Sequence, residues 1–220
     1  WGMKWDFIII HESGHEWFGN NITTNDLADM WVHEGFTNYS ETLFVDYIFG
    51  KQAGDEYNAG TRKGIRNDRP IIPDYNVNAQ GSGDMYPKAG NMLHAIRHGV
   101  DNDTLFREVI RGLGKEFYHQ TVDSKQIENY ISKKLNFDYS KVYEQYLTTT
   151  QIPNFEFYFN EDNKGNYSVV DGLQRLSAIF QFISSEELSR SIKTKISEAI
   201  KESVDAKFSI VDSDLSLYKN

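Results

Sequence analysis

The sequence predicts a mainly α chain closed by a small α+β segment, and three observations carry that expectation. From residue 6 to about residue 150, apolar and aromatic side chains recur at three- and four-residue steps, with helix stops and caps between the runs. After Pro153 the pattern changes to aromatic and β-branched runs around a turn, which reads as a hairpin. Charge is divided in the same way: residues 1–163 hold 15 Lys+Arg against 24 Asp+Glu, whereas residues 164–220 hold 8 against 8. The whole net charge of -9, and all four Trp, therefore belong to the first stretch, as expected of two segments of different character.

Asp6 to Gly19 is apolar and aromatic on all sides and is expected to be an interior helix, ended by Gly19-Asn20. Residues 21–24 form a short extended link. Leu27 to Phe49 carries Trp31, Phe36, Tyr39, Leu43 and Tyr47 at helical spacing, with Gly50 as its C-cap. A third helix is expected from about Gln52 to Ile65, and Pro70, Pro73 and the Gly81-Ser82-Gly83 cluster mark an irregular loop. Asp84 to Gly99 is helical, with Met92, Leu93, Ile96 and Val100 on one face. Asp103 is expected to cap the next helix, which runs to about Phe117. Asp123 and Gln126 form a capping box for a helix to Leu135, and Tyr139 to Leu147 supplies one more. Beyond the hairpin, an amphipathic helix with Leu173, Leu176, Ile179, Phe180 and Ile183 inside is expected, then a lysine-rich helix from about Glu186 to Val204.

Composition excludes several functions. At 39% hydrophobic and 14% aromatic the chain is globular, and its acidity argues against general nucleic-acid or anionic-membrane binding. Without cysteine there is no disulfide, thiolate metal site or cysteine nucleophile. The longest apolar run, Phe7 to Ile10, is far short of the roughly 20 residues a membrane span needs, and no signal peptide opens the chain. The compartment stays open. The abrupt start, just before a helix expected to be buried, suggests a piece of a longer protein.

The chemistry concentrates in His11-Glu12-Ser13-Gly14-His15 and, after eighteen intervening residues, Glu34. Histidines four apart share a helix face, so His11 and His15 can turn two imidazole nitrogens to one ion. Glu34, on the second helix, would be the third ligand. A His₂Glu set leaves one position open, as in catalytic rather than structural zinc. Such a zinc, one per chain, acidifies a water and polarises a carbonyl. Glu12 lies about 100° round the helix from His11, placed to take the proton and pass it to a leaving amine. Asp29 has two readings of equal weight, an outer partner of a ligand histidine or a capping residue. His94 and His98 are also four apart, but with no acid between them and no evident third ligand they read as packing or surface residues. His33, next to Glu34, diverges from the metal.

The longer string resembles the gluzincin aminopeptidases of the aminopeptidase N type. It combines His-Glu-x-x-His with Trp17, Gly19-Asn20 and Trp31-x-x-Glu34-Gly35-Phe36. His33 and Thr37 depart slightly from that pattern. The resemblance covers about residues 1–155 and implies the helical half of a thermolysin-like zinc peptidase domain acting on peptide or small-protein N-termini. It also implies a tyrosine donor for the oxyanion. Tyr86-Pro87-Lys88-Ala89-Gly90 matches its Tyr-x-Lys-Gly-Ala segment with the last two residues exchanged, making Tyr86 the candidate. The family's Gly-x-Met-Glu-Asn segment, which holds the substrate's amino group, precedes the HExxH helix and is not in this sequence.

Residues 156–220 are a separate matter. Val169-Val170-Asp171-Gly172-Leu173-Gln174-Arg175 reads as strand, turn and helix start, where backbone N–H groups and Arg175 would bind an anion and Asp171 a metal or water. An ordinary hairpin with a surface Arg reads as naturally. The string is similar to the Asp-Gly-Gln-Gln-Arg motif of GmrSD-type restriction proteins with a ParB-like nucleotidase domain. That resemblance implies a nucleotide site at Asp171, Gln174 and Arg175.

Overall fold

The computed structural model describes residues 4–151 and two further strand segments, 158–161 and 167–171. Residues 1–153 and 154–220 are two compact units. The first runs α1 (Phe7–Gly14), β1 (Ile22–Thr24), α2 (Trp31–Phe49), α3 (Lys51–Thr61), α4 (Pro87–Val100), α5 (Asp103–Glu116), β2 (Gln120–Val122), α6 (Ser124–Leu135) and α7 (Ser140–Tyr143). In the second, β3 (Tyr158–Glu161) pairs antiparallel with β4 (Tyr167–Asp171), in line with the expected hairpin. The helices expected beyond Asp171 lie outside the described residues. No helix among the described residues is long and apolar enough to cross a membrane.

The first unit is organised around α2, which packs on α1, α3 and α4. Trp31, Val32, Phe36, Tyr39 and Val45 of α2 are buried with Met92, Leu93 and Ile96 of α4 and Phe106 and Leu113 of α5. The Trp31 indole N–H donates to Ser124 Oγ at 2.7 Å, so α6 is anchored to α2 through a satisfied buried polar group. The acid–base cluster of Arg97, Asp46, Asp103 and Arg107 joins α2, α4 and α5.

Two glycines let the helices that carry the site approach closely. A Cβ on Gly14 would lie 3.0 Å from Thr37 Cγ2, and one on Gly35 would lie 2.7 Å from Ala89 Cβ and 3.2 Å from the Met85 carbonyl. Gly35→Ala is therefore expected to push α4 off α2 and cost about 1–3 kcal/mol, read as a lowered urea midpoint. Gly60→Ala meets nothing within 4 Å and serves as the near-neutral control.

Several expectations need correction. α1 ends at Gly14, not Gly19, because the N–H groups of Asn20, Asn21 and Ile22 bond five residues back to the carbonyls of His15, Glu16 and Trp17, a wide turn closed by Gly19 at φ 142°. The helix is not interior: Phe7, Ile8 and Ile9 are 45, 53 and 62% exposed, and only Gly14 is buried. Its apolar character on all sides says nothing of what covers it, and among the described residues only α2 makes extensive contact with it. The extended link forms as expected, and its residues 22–24 are a strand paired in parallel with residues 120–122. Asn102, not Asp103, caps α5, its side chain accepting from Leu105 N; Asp103 is turned to Arg97 and Arg107 instead. The last helix is α for only Ser140–Tyr143 and continues as a π turn through Thr148. The capping box at Asp123 and Gln126 and the Gly50 stop, with φ 97°, form where expected.

Candidate metal and catalytic site

His11 lies in the last turn of α1 and His15 caps it in αR geometry, so the two rings remain one turn apart although the helix has stopped. Their centroids are 5.1 Å apart and nearly perpendicular. Glu34 sits in the first turn of α2. Its Oε2 is 3.2 Å from His11 Nε2 and 3.5 Å from His15 Nε2, and all three atoms lie within 4.8 Å of one another.

That triangle fits a divalent cation. For zinc bonds of about 2.0–2.1 Å, the edge of a tetrahedron of ligand atoms is about 3.3–3.4 Å, which the two separations bracket. The far ring nitrogens are committed elsewhere. His11 Nδ1 is 2.8 Å from Glu41 Oε1 and His15 Nδ1 is 3.0 Å from the Phe18 carbonyl, so each donates from Nδ1 and keeps its Nε2 lone pair for the shared point. Hydrogen bonds to Glu34 and Glu41 raise the His11 pKa to about 9, so an ion bound here would displace the proton on Nε2. Glu34 is pushed up by burial, but its hydrogen bond with His11 and the charges of both imidazoles outweigh that and keep it below the usual glutamate value.

Glu12 and Tyr86 line a cleft of about 600 Å³ with His11, Phe7, Ile8, Asn38 and Tyr57. Glu12 is exposed to it. Tyr86 stacks over His11 with centroids 5.8 Å apart, and burial, then the Glu34 charge and hydrogen bond, push its pKa up to about 12. The phenol thus stays protonated at neutral pH and able to donate. Its position is built by a 3₁₀ turn, Gly83–Met85, leading into Pro87 at the start of α4. Buried Asp84 holds that turn by accepting from Arg66 N and Asn67 N at 2.9 and 2.7 Å. Lys88 is buried and donates to the Thr149 carbonyl at 2.9 Å, tying the tyrosine segment to the end of the unit.

The structure puts Asp29 in neither of its expected places. Its buried carboxylate accepts from Tyr75 at 2.7 Å and from Ser124, and Asp26 is the residue that caps the turn at residues 27–29. The outer partner of His11 is Glu41, which also accepts from Tyr57 and, at 3.3 Å, from Asn38. Glu41 was missed, although it lies seven residues after Glu34 and so on the same face of α2, which was the available signal. His33 points away: its Nε2 accepts from Thr24 N at 3.0 Å. His94 and His98 do have an acid beside them, Asp55 of α3, 3.3 Å from each ring. Asp171 closes β4, and Gln174 and Arg175 lie outside the described residues.

Comparison with known proteins points the same way. A family model described as the peptidase family M1 domain matches residues 4–146. Endoplasmic reticulum aminopeptidase 1 of Mus musculus is 29% identical over 128 residues, covering 52% of this chain and 13% of that protein. Aminopeptidase B of Rattus norvegicus is 25% identical over 169 residues, covering 68% and 24%. This chain thus spans no more than about a quarter of the length of either relative. The M1 zinc metallopeptidase from Deinococcus radiodurans shares the fold, with a TM-score of 0.57 at 24% identity over 67% of this chain and 34% of that one.

Proposed function

The chain belongs to peptidase family M1, and from that premise we propose that its first segment, residues 1–155, carries the metal-binding and proton-transferring part of a zinc aminopeptidase. The observation that carries this reading is that His11 Nε2, His15 Nε2 and Glu34 Oε2 lie within 4.8 Å of one another, with His11 lining a cleft that also holds Glu12 and Tyr86. His11, His15 and Glu34 would hold one catalytic zinc, and its contribution when bound is Lewis acidity, which acidifies water and polarises a carbonyl. Glu41, through His11, and the Phe18 carbonyl, through His15, orient the ligands. Glu12 accepts the proton of the attacking water and returns it to the departing amine. Tyr86 donates its hydroxyl to the oxygen on which negative charge develops. The substrates on this reading are peptides or small proteins with free N-termini, and residues 156–220 are a segment with a separate role.

The test is hydrolysis of amino-acid p-nitroanilides by the purified chain, stripped with a chelator and reconstituted with zinc. Turnover is expected to be metal-dependent and slow, since among the described residues only α2 makes extensive contact with α1. Tyr86→Phe is expected to lower kcat by about 10²–10³-fold with zinc content unchanged. Turnover indifferent to both the chelator and this substitution would overturn the reading.

A further inference from the structure

Asp55, His94 and His98 repeat, away from the residues already assigned, the geometry of the first triad. His94 Nε2 is 3.1 Å from His98 Nε2, and Asp55 Oδ1 is 3.3 Å from each of them. The result is a nearly equilateral triangle with edges close to the about 3.3–3.4 Å of a tetrahedral zinc face. The three atoms lie close enough together to share one ion.

We propose that Asp55, His94 and His98 form a second zinc site, which ties α3 to α4 and leaves its fourth position to water.

The surroundings fit that role. His94 and His98 are four apart on α4 and so lie one turn apart on one face, while Asp55 reaches them from α3. The His94 side chain is 4% exposed, and those of His98 and Asp55 are 29 and 34% exposed, so the site has a rigid inner ligand and an open outer side by which an ion enters. His94 Nδ1 is 3.3 Å from the buried Tyr39 hydroxyl, and in its Nδ1–H tautomer Nε2 is free to bind, the usual arrangement of a metal-bound imidazole.

The site has a mechanical consequence. Two residues beyond Asp55, Tyr57 donates to Glu41, the partner of His11. An ion clasping α3 to α4 therefore steadies the scaffold behind the first triad without touching it.

Zinc titration by equilibrium dialysis on the chelator-stripped full chain tests this. Two ions per chain are expected, falling to one in Asp55→Asn and in His98→Gln. Glu34→Ala is expected to keep the second ion, and Glu34→Ala/His98→Gln to bind none. In the Glu34→Ala background, zinc is expected to raise Tm, and adding His98→Gln should abolish the rise. Because that arm lacks the first site, its outcome does not depend on the aminopeptidase reading. An ion count unchanged by both Asp55→Asn and His98→Gln, or no zinc binding by a folded Glu34→Ala chain, would overturn the second site. Should one of Asp55→Asn and His98→Gln unfold the chain, the other carries the test.

Discussion

Glu12→Gln is expected to leave zinc content and fold intact and to lower kcat by about 10²–10⁴-fold, the range for losing a positioned acid–base group. The amide keeps the length and shape of the side chain but cannot take up a proton. Glu12 is exposed at the cleft and lies beside, not among, the three donor atoms, so its replacement leaves His11, His15 and Glu34 as they are. KM should change little, because the interaction lost is one made during proton transfer rather than in substrate binding. Glu12→Asp separates charge from reach. It retains a carboxylate but withdraws it by one methylene, and an intermediate rate is expected. Zinc-loaded Glu12→Gln that turns over like the unsubstituted chain would remove Glu12 from its role and leave the cleft without a base.

The difference between what could be read from residues alone and what needed the structure follows sequence separation. His11 and His15 are one helical turn apart, and the capping box at Asp123 and Gln126 is equally local, so spacing alone was enough to recognise both. Glu34 was found because it belongs to a recognisable string. Glu41 had a signal, its heptad distance from Glu34, but a glutamate at that spacing is also what any amphipathic helix shows. Asp55 had none: it meets His94 and His98 only because α3 folds back against α4. The pairing of β1 with β2 joins residues about a hundred apart, and three-residue strands carry no period to detect. For α1, periodicity described its apolar surface and not what lies against it, so an interior helix was expected where Phe7, Ile8 and Ile9 are exposed. Asp29 shows the converse error. Two roles were open to a helix-start acid, and a third, bonding to Tyr75 and Ser124 across the fold, was taken.

Glu34→Ala is expected to have the deepest effect, a loss of turnover at least as large as that of Glu12→Gln, together with loss of the zinc held by His11 and His15. Two imidazoles remain, but the carboxylate that closes the triangle and balances the ion's charge is gone. Neither neighbour can take its place. Glu41 is engaged on the far nitrogen of His11 and with Tyr57 and Asn38. His33, the adjacent histidine, is turned to the Thr24 N–H. The same substitution removes a hydrogen-bond partner of Tyr86, the proposed oxyanion donor, and part of the charge that raises its pKa. Glu34→Gln keeps a neutral oxygen of the right length and is expected to bind the first zinc weakly, whereas Glu34→Asp keeps the charge at shorter reach. Zinc content after exhaustive dialysis, measured beside kcat, should therefore rank unsubstituted, Asp, Gln, Ala, with rate following metal. Should Glu34→Ala hold the same number of ions as the unsubstituted chain, Glu34 is not a ligand. The triangle of His11, His15 and Glu34 would then be a hydrogen-bonded cluster and nothing more.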